Sequence, residues 1–290
     1  MIILGLDFEG MNEDISKGVN VEKDRITEIG AVAWDWEEGS PIKFISELID
    51  EEDRLPISEE NTAITGITEH SLVKHGLKGQ DITQAYIDLA HQIENADAVM
   101  AHNGGGPLRP DSGYDYKMLK ASFDRHGVIM PSTPWIDTWI DCELPKEILQ
   151  TTRGAKSMMA LEYAHGFINP FPHRAVTDVM AMLKVFSRYS IEEMLAFAQS
   201  PEIIVKACFS YPNTRGVPSD VAAEMMEDFE NIKNAVKKAG FYFNPTTKEW
   251  TKQLKELALV RNPDMFSHLP CFVDNPLTQR KELSSDDIPF

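Results

Sequence analysis

Residues 1–10 read MIILGLDFEG, and this stretch decides the fold. The run from Ile2 to Phe8 is mostly apolar and predicts a buried strand. Asp7 and Glu9 stand two residues apart, and because side chains alternate along a strand, both carboxylates point to the same face. Such a pair can chelate a metal ion, although in a chain with 46 acidic residues it can also be two solvated acids at a strand end.

The sequence that follows predicts an α/β architecture. Residues 29–36 and 42–49 predict two more strands joined by a turn, so we expect a three-stranded antiparallel meander. From Ile82 onward the apolar residues recur at helical spacing, with Asp81 placed to cap the helix. Further patterns predict a short buried strand at 98–101 and helices over 114–126, 157–165 and 175–189, the first two of these helices ending at Gly127 and Gly166.

Residues 191–290 predict a separate C-terminal α+β extension. A helix is expected over 221–239, followed by GFYFNPTTKEW, which is typical of a strand, an Asn-Pro turn and a second strand, and then by a Pro-rich tail. We therefore expect an α/β domain over 1–190 and an extension that binds substrate or a partner over 191–290.

Composition and charge limit the class of protein. With 42% apolar and 26% charged residues, no apolar stretch of about 20 residues and no export signal, we expect a soluble protein that is not in a membrane. Cys142, Cys208 and Cys271 lie far apart, which favours a reducing, cytoplasmic compartment. The net charge of -18 argues against a protein that binds long duplex DNA through its phosphates. This objection weakens if Mg²⁺ or Mn²⁺ binds near the acidic residues, because the charge of the ion then attracts a phosphate.

Two further segments bring chemistry to the carboxylate pair. In HRAVTD, His173 precedes a predicted helix and Asp178 lies within its first turns. In AHNGGGPLRPDSGYDYKML, a strand ends at Ala101 and Asp115 stands at the start of a helix. The glycines at 104–106 are not a phosphate-binding P-loop, because no Lys-Ser or Lys-Thr follows them.

The blocks LDFEG, HN followed by YDYKML, and HRAVTD resemble, in order, the three motifs of the DnaQ-like DEDD exonuclease superfamily. The H-x-x-x-x-D form of the third motif resembles the DEDDh branch, which includes proofreading epsilon subunits, RNase T and oligoribonuclease. Supporting matches are RITEIGAVAW, ITGIT and WIDT, and the resemblance covers roughly residues 1 to 190.

This resemblance implies an RNase H-like fold, with a mixed sheet and flanking helices, and a 3′-to-5′ exonuclease. Two divalent ions, Mg²⁺ or Mn²⁺, would be held by Asp7, Glu9, Asp115 and Asp178. His173 would accept the proton of the attacking water, a role suited to a side chain with an ordinary pKa of about 6.5.

The same resemblance places substrate contacts around the metal ligands. Residues 64–67 would form a loop against the terminal base, and Phe8 and Met11 would contact the sugar or wedge between bases, unless they are ordinary core residues. The expected contact residues in this region are Phe8, Gly10, Met11, Ile64, Thr65, His102 and Asn103.

The chain departs from the family pattern at two places. Gly10, Met11 and Asn12 follow Glu9 where many relatives have a Thr-Thr-Gly-like turn, which weakens the inference about nucleotide contacts. The spacing from Asn103 to the third carboxylate is long, so Asp111 competes with Asp115, although the flanking residues favour Asp115.

A basic segment in the C-terminal extension is a candidate path for phosphates. Residues 231–255 contain six basic residues and one acidic residue, interleaved with aromatic residues on which a single strand can stack. Lys248 and Lys252 are therefore expected to bind substrate; the alternative is a small aromatic core with solvated lysines.

Three functional hypotheses follow from these patterns. The first is a 3′-to-5′ exonuclease that acts on single-stranded nucleic acid with a free 3′ end. DNA is preferred over RNA as its substrate because the chain is longer than minimal oligoribonuclease relatives. A polymerase or replication protein is a candidate partner. The second is the same chemistry on RNA, since discrimination rests on contacts near the 2′ position. The third is a non-catalytic module that binds nucleic acid or a replication partner.

No zinc site is expected, and other polar residues are expected to be structural: His70, His75, His165, Asp137 and Asp141.

Overall fold

The strand that carries Asp7 and Glu9 lies at the centre of a five-stranded sheet. The computed structural model describes residues 1–11 and 18–276; Asn12 and most of the expected C-terminal tail lie outside them. Strand β1 (Ile2–Met11) pairs antiparallel with β2 (Arg25–Asp35), which pairs antiparallel with β3 (Ser40–Leu48). The predicted meander is confirmed.

The other edge of this sheet is parallel. β4 (Ala98–Ala101) runs parallel to β1, and β5 (Trp135–Asp137) runs parallel to β4, which gives the order β3-β2-β1-β4-β5. The helices of this part of the chain are α1 (Glu59–Thr65), α2 (Glu69–His75), α3 (Gln80–Glu94), α4 (Asp115–His126), α5 (Lys146–Thr151), α6 (Met158–Ala164), α7 (Ala175–Phe186) and α8 (Ile191–Gln199). This is the expected mixed sheet with flanking helices.

The two faces of the sheet bury different cores. Leu4, Leu6 and Phe8 pack with α3 and α4, and Ile3 on the opposite face packs with α7 and α8. This division follows from strand alternation, because even-numbered residues of β1 face one side and odd-numbered residues face the other. Asp7 and Glu9 therefore belong to the face that α7 covers.

Three local expectations were wrong. Asp81 does not cap α3: the N-cap is Gly79, with no side-chain cap, and Asp81 lies in the first turn, where its charge favours the helix dipole. Ile64 and Thr65 are not in a loop but in the last turn of α1, because Ser58 caps the start of this helix and Gly66 ends it in the left-handed conformation. The helix expected over 175–189 ends at Phe186.

The chain divides into two compact units, 1–199 and 200–290. The division falls later than the boundary expected at residue 190, because Ile191, Met194 and Ala198 of α8 pack into the core of the first unit.

The second unit contains an antiparallel sheet of order β7-β8-β6-β9. Its elements are β6 (Glu202–Cys208), α9 (Ser219–Lys238), β7 (Tyr242–Asn244), β8 (Glu249–Lys255), α10 (Glu256–Arg261) and β9 (Phe272–Asp274). Val205 of β6 and Val236 of α9 are fully buried in its core. Within the described part of the chain, no helix is long and apolar enough to span a membrane.

Candidate functional site

Helix α7 lies directly against β1 and β2 because two strand residues are glycines. A Cβ built at Gly5 would meet the side chains of Val179 and Leu183 at 2.6 and 2.8 Å. A Cβ at Gly30 would lie 2.3 Å from the carbonyl carbon of Ala175, which is backbone and cannot rotate away. The first turns of α7, with Asp178, are thereby held close to Asp7 and Glu9.

A buried ion pair fixes the start of α7. Glu28, opposite Glu9 in the β1–β2 register, is 1% exposed and accepts hydrogen bonds from Arg174 Nε at 3.1 Å and Nη2 at 2.6 Å. The other carboxylate oxygen also accepts the backbone N–H of Ala175 at 3.1 Å. Because Arg174 follows His173, this pair also fixes one side of the loop that presents the histidine.

Asp115 opens α4 and lies among the other carboxylates. Its Oδ1 accepts the backbone N–H of Phe8 at 3.1 Å, so it is tied to β1 beside Asp7. A Cβ at Gly104 would lie 2.8 Å from Asp115 Oδ2, so a glycine is needed where the loop passes the carboxylate. Asp115 is 3% exposed, whereas the competing Asp111 is exposed.

His173 and Asp178 lie next to each other at the start of α7. Asp178 accepts the backbone N–H of His173 at 2.9 Å and the side-chain amide of Asn169 at 2.6 Å. His173 has a φ of 62°, in the left-handed region, and its side chain is exposed. Ligand atoms of Glu9, His173 and Asp178 all lie within 4.8 Å of one another, so these three residues could hold one metal ion.

Burial raises the pKa values of the four carboxyl groups, and repulsion within the cluster adds to the shifts of Asp7 and Glu9. Burial, reinforced by the charges of Asp115 and Glu9, raises the pKa of Asp7 well above its usual range. Burial likewise raises the pKa of Glu9 to about 8, with the charge of Asp178 as the next cause. Burial also raises the pKa of Asp115 to about 7 and of Asp178 to about 6, although hydrogen bonds from Phe8 and His173 oppose these shifts.

These oxygen donors fit a hard divalent cation. Mg²⁺ and Mn²⁺ prefer carboxylate oxygens, and a cation's charge offsets the repulsion that raises the pKa values. The structure therefore brings Asp7, Glu9, Asp115 and Asp178 together in a setting suited to such an ion.

Gly10 and Tyr114 pack together at the end of β1. A Cβ at Gly10 would lie 1.7 Å from the Tyr114 hydroxyl, which is buried and has no hydrogen-bond partner among the described residues. Burial raises the pKa of Tyr114 well above its usual range. Gly10 thus serves the packing of Tyr114, whatever its contact with substrate.

Phe8 and Met11 are buried, at 4% and 7% exposed. The ring of Phe8 belongs to the core shared with α3 and α4, and its backbone N–H is the group that reaches the site. Phe8 is therefore a core residue, which is the alternative given above for this position.

Helix α1 approaches the end of β1 through Asn61, whose side-chain amide donates to the Gly10 carbonyl at 2.9 Å. Ile64 is 46% exposed, whereas Thr65 is buried and its hydroxyl donates to the Asn61 carbonyl. Of the two expected contacts, Ile64 has the accessible side chain.

His102 and Asn103 begin the long loop before α4. His102 Nε2 lies 2.8 Å from the Lys156 carbonyl and Nδ1 lies 2.7 Å from the Thr138 hydroxyl, while burial lowers the pKa of this imidazole to about 4. Asn103 has a φ of 59°, and its backbone N–H donates to Asp137, which is 2% exposed and also accepts from Gly105. Asp137 thus holds the loop in place.

The two expected lysine contacts lie in the second unit. Lys248 is exposed in the turn between β7 and β8. Lys252 Nζ donates to the Ala239 carbonyl at 2.7 Å, beyond the end of α9, and lies 5.6 Å from the centre of the Phe266 ring. Lys252 therefore has partners within its own unit.

Sequence reasoning missed residues that position the cluster. Glu28 and Arg174 are far apart in sequence, and the available signal was a glutamate inside the apolar run of β2. Asn169 had no spacing signal; its backbone N–H donates to Glu162, which is 5% exposed, at 2.9 Å.

Comparisons with known proteins agree with this architecture. The family model RNase_T, described as Exonuclease, matches residues 6–186. The chain is similar to Escherichia coli exonuclease I with a dA16 oligonucleotide (TM-score 0.51, 15% identity) and with a dT13 oligonucleotide (TM-score 0.50, 14% identity). Each alignment covers 71% of this chain and 48% of the other, so this chain spans about half the length of those proteins.

A further similarity is to the nuclease domain of 3′hExo, a DEDDh family member bound to rAMP, with a TM-score of 0.47, 15% identity and coverage of 64% of this chain and 90% of that one. No curated protein is a significant match. At identities of 14 to 15%, the two exonuclease I structures show a shared fold.

Proposed function

The chain belongs to the RNase_T family of exonucleases. We propose that it is a 3′-to-5′ exonuclease of the DnaQ-like, DEDDh type that degrades single-stranded DNA from the 3′ end. Phosphodiester hydrolysis releases nucleoside monophosphates. The convergence of Asp7, Glu9, Asp115 and Asp178 from β1, α4 and α7 supports this activity.

Exonucleases of this kind use divalent metals. We assign Asp7, Glu9, Asp115 and Asp178 as the ligands of two ions, Mg²⁺ or Mn²⁺, which when bound supply a nucleophilic water and stabilise the leaving 3′ oxygen. Burial and the hydrogen bonds from Phe8, His173 and Asn169 orient the carboxylates before substrate arrives.

His173 accepts the proton from the attacking water in this mechanism. Its exposed imidazole lies beside Glu9 and Asp178, while its backbone N–H is fixed by the Asp178 carboxylate. A fixed backbone with an exposed ring allows the imidazole to reach the water and then release the proton to solvent.

Two features favour DNA over RNA as the proposed substrate. The second unit and the long 102–114 loop add to the minimal domain, and the oligonucleotides named with the exonuclease I structures are DNA. The alternative, an exoribonuclease, shares every carboxylate and differs only in contacts near the 2′ position.

The second unit supplies candidate phosphate contacts and a candidate surface for a polymerase or other replication partner. Lys248 is exposed and suited to bind a phosphate, whereas Lys252 would first have to release the Ala239 carbonyl. Replacing Lys248 with Ala should weaken substrate binding and reduce its dependence on salt. Unchanged affinity and salt dependence would remove this lysine from the phosphate path.

The function is tested by digestion of 5′-labelled single-stranded DNA and RNA of matched sequence, with and without Mg²⁺ or Mn²⁺. We expect a metal-dependent ladder that shortens from the 3′ end, faster on DNA, and a loss of at least about 100-fold in rate for Asp7→Asn because a metal ligand is removed. Digestion of neither strand by the native chain would favour the non-catalytic binding module.

A further inference from the structure

Five aromatic rings form a continuous row in the second unit, which we call the aromatic row. Neighbouring ring centres lie 5.1–6.0 Å apart, in the order Phe243, Trp250, Phe209, Phe229 and Tyr211. The three inner rings are half-buried, and Phe209 and Trp250 pack against the core of this unit. The two end rings are open to solvent, since Tyr211 is 67% exposed and Phe243 is 48% exposed. The core therefore holds the row in place while its ends remain accessible to a ligand.

The sheet and helix α9 each contribute to the aromatic row. Phe243 of β7 pairs directly with Trp250 of β8, so both side chains lie on the same face of the sheet. Helix α9 contributes Phe229, Lys233 and Lys237, whose spacing of four residues places them along one side of the helix. Cations are thereby brought to the aromatic rings by the helical repeat.

Two lysines of α9 lie close to the rings. Lys237 Nζ lies 5.9 Å from the centre of the Trp250 ring, and Lys233 Nζ lies 5.7 Å from the centre of the Phe229 ring. Lys233 also pairs with Glu230 at 2.5 Å, whereas Lys237 is exposed and forms no ion pair within residues 1–11 and 18–276. The aromatic row thus has beside it a positive charge that is available to an anionic ligand.

Flat rings beside cations match the two parts of a nucleotide. Bases stack on aromatic side chains and phosphates are attracted to ammonium groups, and this stacking tolerates any sequence because every base has a π face. Local charge also favours an anion, because residues 231–255 contain six basic residues and one acidic residue in a chain of net charge -18. A duplex encloses the faces of its bases between neighbours, so an unpaired strand fits the aromatic row better than a duplex does.

We propose that the aromatic row is a second binding site for single-stranded nucleic acid, in which bases stack on Tyr211 and Phe243 and the phosphates lie near Lys237. The site uses neither the candidate metal centre nor a strand end, so it goes beyond the exonuclease function proposed above. It binds internal segments of a strand without regard to their sequence. Such a site retains a strand whose 3′ end is not at the metal centre.

The test uses a labelled circular single-stranded DNA, which has no 3′ end, in EDTA, which removes divalent ions. Fluorescence anisotropy gives Kd for the native chain, Tyr211→Ala, Phe243→Ala, Lys237→Ala and the control Tyr242→Ala. Tyr242 is 79% exposed and precedes Phe243 on β7, so its ring lies on the opposite face of the sheet. An abasic circle of equal charge separates stacking from charge attraction, and melting temperatures verify that each variant is folded.

The native chain should bind the circle, and Tyr211→Ala and Phe243→Ala should each raise Kd by about 10-fold, as expected for the loss of one stacked base. Lys237→Ala should weaken binding and reduce its dependence on salt. Tyr242→Ala should match the native chain. The abasic circle should bind weakly, and with equal Kd to the native chain and to the two variants that lack an end ring.

A local signal comes from Trp250, which contacts Phe243 and is the only tryptophan of the second unit. Its fluorescence should change when a base stacks on Phe243, and this change should be absent in Trp250→Phe. A fluorescence change of the same size in Trp250→Phe would assign the signal to the first unit and contradict base stacking at the aromatic row.

Three further results would overturn the proposal. Equal affinity of the native chain for the intact and abasic circles, or no effect of either end-ring variant, would mean that the aromatic row stacks no bases and would favour a protein partner for it. A loss in Tyr242→Ala as large as in Phe243→Ala would place the strand on the opposite face of the sheet. A native chain that digests linear strands but does not bind the circle would refute this site alone, whereas one that binds the circle as described but digests nothing would support the site and refute only the exonuclease.

Discussion

At the residue scale, the pair formed by Arg174 and Glu28 links the sheet to the loop of His173. Glu28 is enclosed, and its oxygens accept hydrogen bonds from Arg174 and from the backbone of Ala175. The charge of Arg174 also opposes the causes that raise the pKa of Glu9, of which burial is the largest. One guanidinium therefore affects both the anchoring of α7 and the ionisation of Glu9, a proposed metal ligand.

Arg174→Ala should lower the free energy of unfolding by about 2 kcal/mol, because it leaves Glu28 buried without its partner. Removing one partner of a fully buried ion pair costs about 3–5 kcal/mol, and we expect less here because the Arg174 side chain is 41% exposed. The pKa of Glu9 should rise, which moves the acidic limb of the pH–rate profile to higher pH. Urea unfolding and rates from pH 5 to pH 9 test this, with Lys184→Ala in the exposed last turn of α7 as control. A destabilised variant with an unmoved pH profile would contradict the electrostatic role.

The contact of Gly10 with Tyr114 makes a second prediction at this scale. Tyr114→Phe should stabilise the fold by about 1 kcal/mol, because it removes a buried hydroxyl that has no partner among the described residues. Gly10→Ala should destabilise the native chain but cost less when combined with Tyr114→Phe, since the closest clash, at 1.7 Å, involves that hydroxyl oxygen. Thermal unfolding of the two single variants and the double variant measures the coupling; additive effects would contradict it.

At the scale of elements, the site depends on how closely α7 lies on the sheet. Gly5 and Gly30 remove the side chains that would separate them, and the α7 backbone occupies the space beside β2. Asp178 and His173 take their positions from this contact, because both stand at the start of that helix. The close packing of α7 on the sheet therefore determines where Asp178 and His173 lie relative to Asp7 and Glu9.

Gly30→Ala should destabilise the first unit by about 1–3 kcal/mol, because the new methyl group meets backbone atoms of Ala175 and Val176. It should also weaken metal binding by shifting Asp178 away from Asp7. Ser46→Ala, at the exposed position paired with Gly30 on β3, serves as control and should change neither property. Calorimetric titration with Mn²⁺ would contradict the prediction if Gly30→Ala bound the metal as tightly as the native chain.

At the scale of the whole molecule, the acidic charge is distributed unevenly. Residues 1–199 contain 17 Lys and Arg against 33 Asp and Glu, whereas 200–276 contain nine against ten. The second unit is therefore nearly neutral, and the first holds most of the net charge of -18 together with the candidate metal centre. Binding of cations at that centre should affect the stability of the first unit.

Mn²⁺ should raise the melting temperature more at pH 8 than at pH 5.5. The folded-state pKa values of Glu9, Asp115 and Asp178 are raised, so the folded chain binds more protons than the unfolded chain from about pH 4 to pH 8. Without metal, stability is consequently lost as pH rises through this window, and only ionised carboxylates bind the ion.

Differential scanning fluorimetry of native chain and Asp7→Asn measures this effect. At pH 8 without metal, Asp7→Asn should melt higher than the native chain, because one repelling charge is gone, and it should gain less from Mn²⁺. An equal gain from Mn²⁺ at both pH values, or in both chains, would contradict the metal assignment.

The sequence predicted what depends on local order. The alternation of β1 placed Asp7 and Glu9 on one face, and the residues that flank Asp115 favoured it over Asp111. It could not predict that Arg174 would meet Glu28, or that Phe209 would lie against Trp250, because these contacts join segments that are distant in the chain. Lys252 looked like a surface cation, and only tertiary structure gives it the Ala239 carbonyl.

The order of elements along the first unit determines when each residue of the candidate site is synthesised. Asp7 and Glu9 leave the ribosome before Asp178, on the strand that becomes the centre of the sheet, whereas His173 lies just before α7 and Asp178 lies within α7, one of the last elements of that unit. A nascent chain that stops short of His173 has two or three of its carboxylates but neither the fourth nor the histidine. If the proposed mechanism holds, the carboxylate cluster and its histidine are therefore complete only after translation has passed α7, and a shorter nascent chain lacks the site.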